Sequence, residues 1–174
     1  MPPGSLQDEA MADDHQQREQ RARSTAAQAV AAAQRGDDEA VYRLMARYAE
    51  DQPGGLADVR LVVSTLLRES GVMAIGLGEA VGTTNGLEVQ IHDEQGDQVP
   101  IDAAEPPLRT AARALLAYTH GDHQTAETHL EIAFTMASPD QLTAIVLHSV
   151  HWTAEFVAQC DRLGVALSDW MVVD

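Results

Sequence analysis

Ala111–Asp122 reads AARALLAYTHGD, and Ala26–Asp37 reads AAQAVAAAQRGD. The two stretches share Ala26/Ala111, Ala27/Ala112, Ala29/Ala114, Gly36/Gly121 and Asp37/Asp122 at an offset of 85. One extra residue then enters the second copy, and from Ala40 to Gly78 the match runs ungapped at an offset of 86. It pairs Ala40/Ala126, Leu44/Leu130, Tyr48/Phe134, Pro53/Pro139, Leu61/Leu147 and Gly78/Gly164. Alanine matches carry little weight in an Ala-rich chain. Glycine, proline and aromatic matches in fixed register carry more, because they mark turns, helix starts and core positions. The pattern predicts a mainly α fold: two pseudo-symmetric three-helix units from an internal duplication, with an inserted β-hairpin.

Working outward, residues 1–17 hold Pro, Gly and acids without an apolar period and read as a disordered acidic segment. The first unit, 18–80, opens with an Ala- and Gln-rich helix over Arg18–Arg35. Gly36 suits the left-handed residue that ends it, and Asp37 then caps a second helix running to Asp51, a bond worth about 1 kcal/mol. Pro53-Gly54-Gly55 breaks that helix. A third runs from Leu56 to Leu77 with Gly78 at its end, and its apolar residues lie almost all round, as in a central buried helix. Gly71 and Gly76 weaken such a helix unless a neighbour approaches closely there.

Residues 81–107 read as a loop and hairpin. Leu87–His92 alternates with period two, and Val99–Asp102 answers it across Asp93-Glu94-Gln95-Gly96-Asp97. The second unit, 108–164, repeats the plan. Pro106-Pro107 starts its first helix, Asp122 caps the next, and Ser138-Pro139 starts the last. On that last helix Leu142, Ile145, Val146, Ser149, Val150, Trp152, Thr153, Phe156, Val157, Cys160 and Leu163 share a wide inward face, and Gly164 ends it. The tail, 165–174, is apolar for a terminus. Leu167, Trp170 and Met171 are its candidate interaction residues, docking on this chain or another.

The formal charge is −16, from 27 acids against 11 arginines. That balance opposes direct nucleic-acid binding and an anionic membrane surface. No uninterrupted apolar run approaches the ~18 residues of a membrane span. The N-terminus lacks the basic start and apolar centre of a secretory signal. Cys160 is the single cysteine, so no intrachain disulfide forms. Together these point to the cytoplasm. All basic residues are Arg, with no Lys; with so much Ala, that fits a GC-rich bacterial genome.

Chemistry-bearing motifs are sparse: no Gly-rich phosphate loop after a strand, no nucleophile elbow, no paired cysteines, no HExxH. His148, His151 and Glu155 fall within about 60° on one helix face and form a candidate zinc or other transition-metal set. The first copy carries Val62 and Thr65 at the histidine positions. Ala114, Ala117, Gly121, Asp122, Ala126, Leu130 and Ala133 place small residues where helices cross and large ones where they interlock. The segment that holds them, ARALLAYTHGDHQTAETHLEIAF, resembles a tetratricopeptide-type helix hairpin, which implies antiparallel helix pairs. Arg47 stands opposite Ala133 in the first copy, and the spacing near 86 departs from that family's 34-residue period.

The function expected is a non-enzymatic protein–protein interaction module, an adaptor or regulator without a cofactor. Its expected partner is a protein, and one candidate is a second copy of the chain in a homodimer. Two alternatives stand beside it. One is a metal-binding protein or metal-dependent enzyme using His148, His151 and Glu155. The other is an acidic DNA mimic that inhibits a DNA-binding protein.

Overall fold

The computed structural model describes residues 5–82, 91–93 and 95–172. Helices dominate: α1 (Ser5–Gln34), α2 (Asp38–Asp51), α3 (Leu56–Val81), α4 (Pro106–Thr119), α5 (His123–Met136) and α6 (Pro139–Leu163). Strands β1 (Ile91–His92) and β2 (Gln98–Val99) form a two-stranded antiparallel sheet.

The helix ends follow local chemistry. Gly36 and Gly121 take φ of 71° and 74°, the left-handed conformation that an L side chain resists. Asp37 accepts a bond from the Ala40 amide at 3.0 Å, and Asp122 one from Thr125 at 3.1 Å. Each satisfies an amide that the first turn of its helix leaves without a partner. Ser138 and Gln141 form a reciprocal capping box, with Pro139 in the first turn of α6. Gly164, at φ 68°, ends α6.

Three boundaries differ from the sequence reading. Helix α1 begins at Ser5, not near Arg18. Residues 6–17 are exposed, so no apolar period marks them, yet Leu, Gln, Glu and Ala are good helix formers and extend a helix already anchored further on. Helix α3 runs past Gly78 to Val81, and Gly82, at φ 69°, supplies the left-handed stop. Glu79 and Ala80 favour continuing the helix, so Gly78 lies inside it. The second strand stops at Val99; Pro100 follows, and Ile101–Ala103 turns into a 3-10 helix. Proline has no amide to extend the ladder. Of the expected first strand, residues 87–90 lie outside the described residues.

Helix α3 is the hub, packed against α1, α2, α4, α5 and α6. It is long and apolar enough to cross a bilayer by length and composition, but 67% of that window is buried inside the chain. Val62, Val63, Leu66 and Leu67 are fully buried, whereas Leu56, Val72 and Ile75 stay about half exposed. Its glycines sit at close approaches. A Cβ added to Gly71 would lie 2.8 Å from the Tyr118 carbonyl oxygen, and one on Gly76 would lie 3.0 Å from Val165 Cγ1. Burial on α6 follows the inward face read from the sequence between Ile145 and Cys160, but Leu142 and Leu163, toward the two ends of the helix, depart from it: Leu142 is half-buried and Leu163 is 51% exposed. The hairpin packs on the helices through Ile91, which is 1% exposed. The tail docks on its own chain: residues 169–171 contact α1, Met171 is buried, and Leu167 and Trp170 are half-buried against the core.

Candidate functional site

Helix α6 buries one face in the core and turns the next into a large groove. The groove holds about 1460 Å³ and is walled by α2, the hairpin with the segment after it, α4 and α6. Its floor and walls carry Tyr42, Leu108, Leu115, Leu147, Trp152 and Phe156. Leu115, Trp152 and Phe156 are already buried, while Leu108 and Leu147 are half-buried and Tyr42 is 42% exposed. This gradient gives an apolar floor with a side that a second molecule could cover.

The rim is acidic. Asp38 comes from α2, Asp93 from the hairpin turn, Glu105 from the start of α4, and Asp140 and Glu155 from α6. No arginine lines the groove among the described residues. Asp93 accepts bonds from the Gln95 and Asp97 amides, which shape the turn. Glu105 accepts one from Gln141 at 3.3 Å.

His148, His151 and Glu155 all line this groove, as their shared helix face requires. They do not converge. His151 Nε2 lies 3.0 Å from Asp38 Oδ1. His148 Nδ1 donates to the Ala144 carbonyl at 2.9 Å, and its ring meets Trp152 edge-on at 5.7 Å. That bond places a proton on Nδ1 and orients the ring. Glu155 accepts from Gln159 and lies 3.9 Å from Arg162. Among the described residues no three His, Cys, Asp or Glu groups come together as a metal-holding set. Cys160 is buried in the core, and burial pushes its thiol above the usual range.

A second polar constellation lies where α3, α4 and α5 meet. Ser64 donates to Glu127 at 2.6 Å and lies 3.1 Å from the Tyr118 hydroxyl. Tyr118 also donates to Glu127, and Arg68 reaches the same carboxylate at 3.1 Å. Burial, then the bond to Glu127, pushes the Tyr118 phenol up to about 12. Burial alone would raise Glu127, but bonds from Ser64, Tyr118 and Arg68 outweigh it and hold the carboxyl below its ordinary range. A phenol that keeps its proton is a donor, not a base, so this group fastens three helices together.

Leu167, Trp170 and Met171 pack against their own chain and do not line the groove. Trp170 borders a crevice of about 40 Å³ with Glu19, Arg23 and Arg68, and Ser168 donates to the buried Glu69. The sequence reading did not single out Tyr42, Asp38 or His92, which join the groove only through tertiary contact. Ser64 did carry a signal, as a polar residue inside the apolar run Leu61–Leu67. A scan against protein-family models, a search of curated proteins and a search of solved structures each matched nothing.

Proposed function

We propose that the protein is a non-enzymatic interaction module that seats a segment of a protein partner in the groove along α6. The groove's size carries this reading. At about 1460 Å³ it exceeds the roughly 300–1,000 Å³ of small-molecule sites, and it is open along an apolar floor. Of its histidines, His151 pairs with Asp38 and His148 with the Ala144 carbonyl, and among the described residues neither stands beside a serine, threonine or cysteine nucleophile. The test is a photo-crosslinking residue placed at Leu147 in the groove and, for comparison, at the exposed Gln34. A discrete adduct to another polypeptide from Leu147 alone supports the reading. No adduct from Leu147, or equal adducts from both positions, overturns it.

Self-association is a second, separable part of the proposal. The hairpin and tail find cover inside the chain, so a homodimer would use the half-exposed Val72 and Ile75 of α3. Sedimentation equilibrium at high micromolar concentration decides it; a monomeric mass removes the homodimer and leaves the groove reading intact.

We also infer that the two halves descend from one duplicated three-helix unit, the second resembling a tetratricopeptide-type hairpin. Support comes from α2 and α5, each of 14 residues, each preceded by a positive-φ glycine and an aspartate cap. Two matched positions differ: Gly164 ends its helix whereas Gly78 does not, and Pro139 opens α6 whereas Pro53 precedes the Leu56 start of α3. Superposing 40–78 on 126–164 is the measurement, and unlike crossing angles of the helix pairs would refute common descent.

A further inference from the structure

We infer that the segment seated in the groove is a basic amphipathic helix of the partner protein. This rests on the groove being a docking site and adds the chemistry of its occupant. The first observation is charge. Carboxylates reach the groove from α2, the hairpin turn, the residue just before α4, and α6, and no arginine lines it among the described residues. Among the described residues Asp38, Asp93, Glu105 and Asp140 have no arginine within ion-pair distance, Asp38 lying instead 3.0 Å from His151 Nε2, and Glu155 has Arg162 at a loose 3.9 Å. The chain as a whole carries −16. An acidic segment would be repelled from such a rim, and a neutral one would leave it unanswered. A basic segment answers it and is steered to it.

The second observation is shape. The lining residues of α6 run from Asp140 to Gln159 and include the adjacent pairs 143/144, 147/148, 151/152 and 155/156, which repeat every four residues along one continuous strip. At 1.5 Å per residue that strip is about 30 Å long, matching a helix of about 20 residues. The alternative, a partner strand added to a sheet edge, needs a template, and among the described residues β1 and β2 have two each. Apolar anchors on the partner at i, i+3, i+4 and i+7 would meet Leu147, Trp152 and Phe156 on one side and Tyr42 and Leu108 on the other.

The test titrates fluorescein-labelled peptides of about 18 residues with the full chain and reads anisotropy. One peptide places Leu at helical spacing among Lys; a second scrambles the same composition; a third keeps the spacing but replaces Lys with Glu, and a fourth with Gln. The patterned Leu/Lys peptide should bind at least about tenfold more tightly than the scramble, a difference near 1.4 kcal/mol. It should lose a similar factor in Ala144→Trp, which fills the groove. Amide shift mapping on the unaltered chain should place its footprint at Tyr42, Leu108 and Leu147, so the outcome does not depend on that variant folding. Equal binding by patterned and scrambled basic peptides, with shifts scattered over the surface, would overturn the inference, the charge alone being responsible. Tighter or equal groove binding by the Glu or Gln peptide would overturn the basic occupant while leaving the docking groove standing. No groove footprint from any peptide would remove both.

Discussion

Gly71 of α3 lies against the backbone of Tyr118 of α4, so close that a Cβ there would sit 2.8 Å from the Tyr118 carbonyl oxygen. In an isolated helix, Gly71→Ala would stabilise by about 1 kcal/mol through propensity. Here the obstacle is backbone, which cannot rotate away, and overpacking costs about 1–3 kcal/mol. The net outcome should be a lower urea midpoint. Gly76→Ala meets only a valine methyl and should cost less. A raised midpoint for Gly71→Ala would mean that α3 and α4 do not approach this closely.

Asp37 and Asp122 each accept the amide three residues on. Asp37→Ala should cost about 0.5–2 kcal/mol. Asp122→Ala should lower the midpoint in the same direction, and Asp→Asn at either position should keep most of the stability, because the Asn side-chain oxygen accepts the same amide. Denaturant melts with unchanged midpoints would show these residues to be ordinary surface charges.

The Tyr118 phenol, held up at about 12, titrates near 10 in the unfolded chain. Between those values the folded chain keeps a proton that the unfolded chain has released. Stability should therefore be full below pH 10 and fall as pH rises toward 12. Tyr48, raised first by its burial, adds to the same fall. Tyr118→Phe should flatten part of this slope and cost about 1–3 kcal/mol near neutrality, as the loss of a bond to a carboxylate. Urea midpoints taken from pH 8 to 11.5 check it; an unaltered slope in the variant would refute the assignment.

Arg18 fastens the long first helix to the hub. Its Nη2 and Nε lie 2.7 and 3.1 Å from Asp58 Oδ1, while Asp58 Oδ2 accepts the Gly54 amide at 2.8 Å. Asp58 is buried and Arg18 is about two-fifths exposed. Arg18→Ala should cost about 1–3 kcal/mol, discounted for that exposure. Deleting residues 1–17, of which 6–17 are exposed, should barely move the midpoint. A large loss on deletion, or none for Arg18→Ala, would contradict this arrangement. Hydrogen exchange should show α1 fraying ahead of Arg18.

What the sequence determined by itself was local. The caps at Asp37, Asp122 and Ser138, the left-handed glycines at 36, 121 and 164, and the inward face of α6 are each set by residues within a turn or two of one another. Such interactions have short chain separations, so spacing reports them directly. The apolar girth of α3 likewise announced a central helix, because only a helix enclosed by others can bury that much of its circumference. What only the tertiary structure decided was which distant groups meet. Tyr118 reaches Ser64 across 54 residues, and Ser64 reaches Glu127 across 63. The groove gathers Asp38, Ile91, Leu108 and Glu155 from four separate elements. His148, His151 and Glu155 share a face by periodicity, but Asp38 from another helix claims His151. The start of α1 escaped the sequence reading for the opposite reason: its first turns are exposed, so no burial pattern records them. Helical periodicity shows which side of an element is apolar; the packing of the other elements decides what lies across from it.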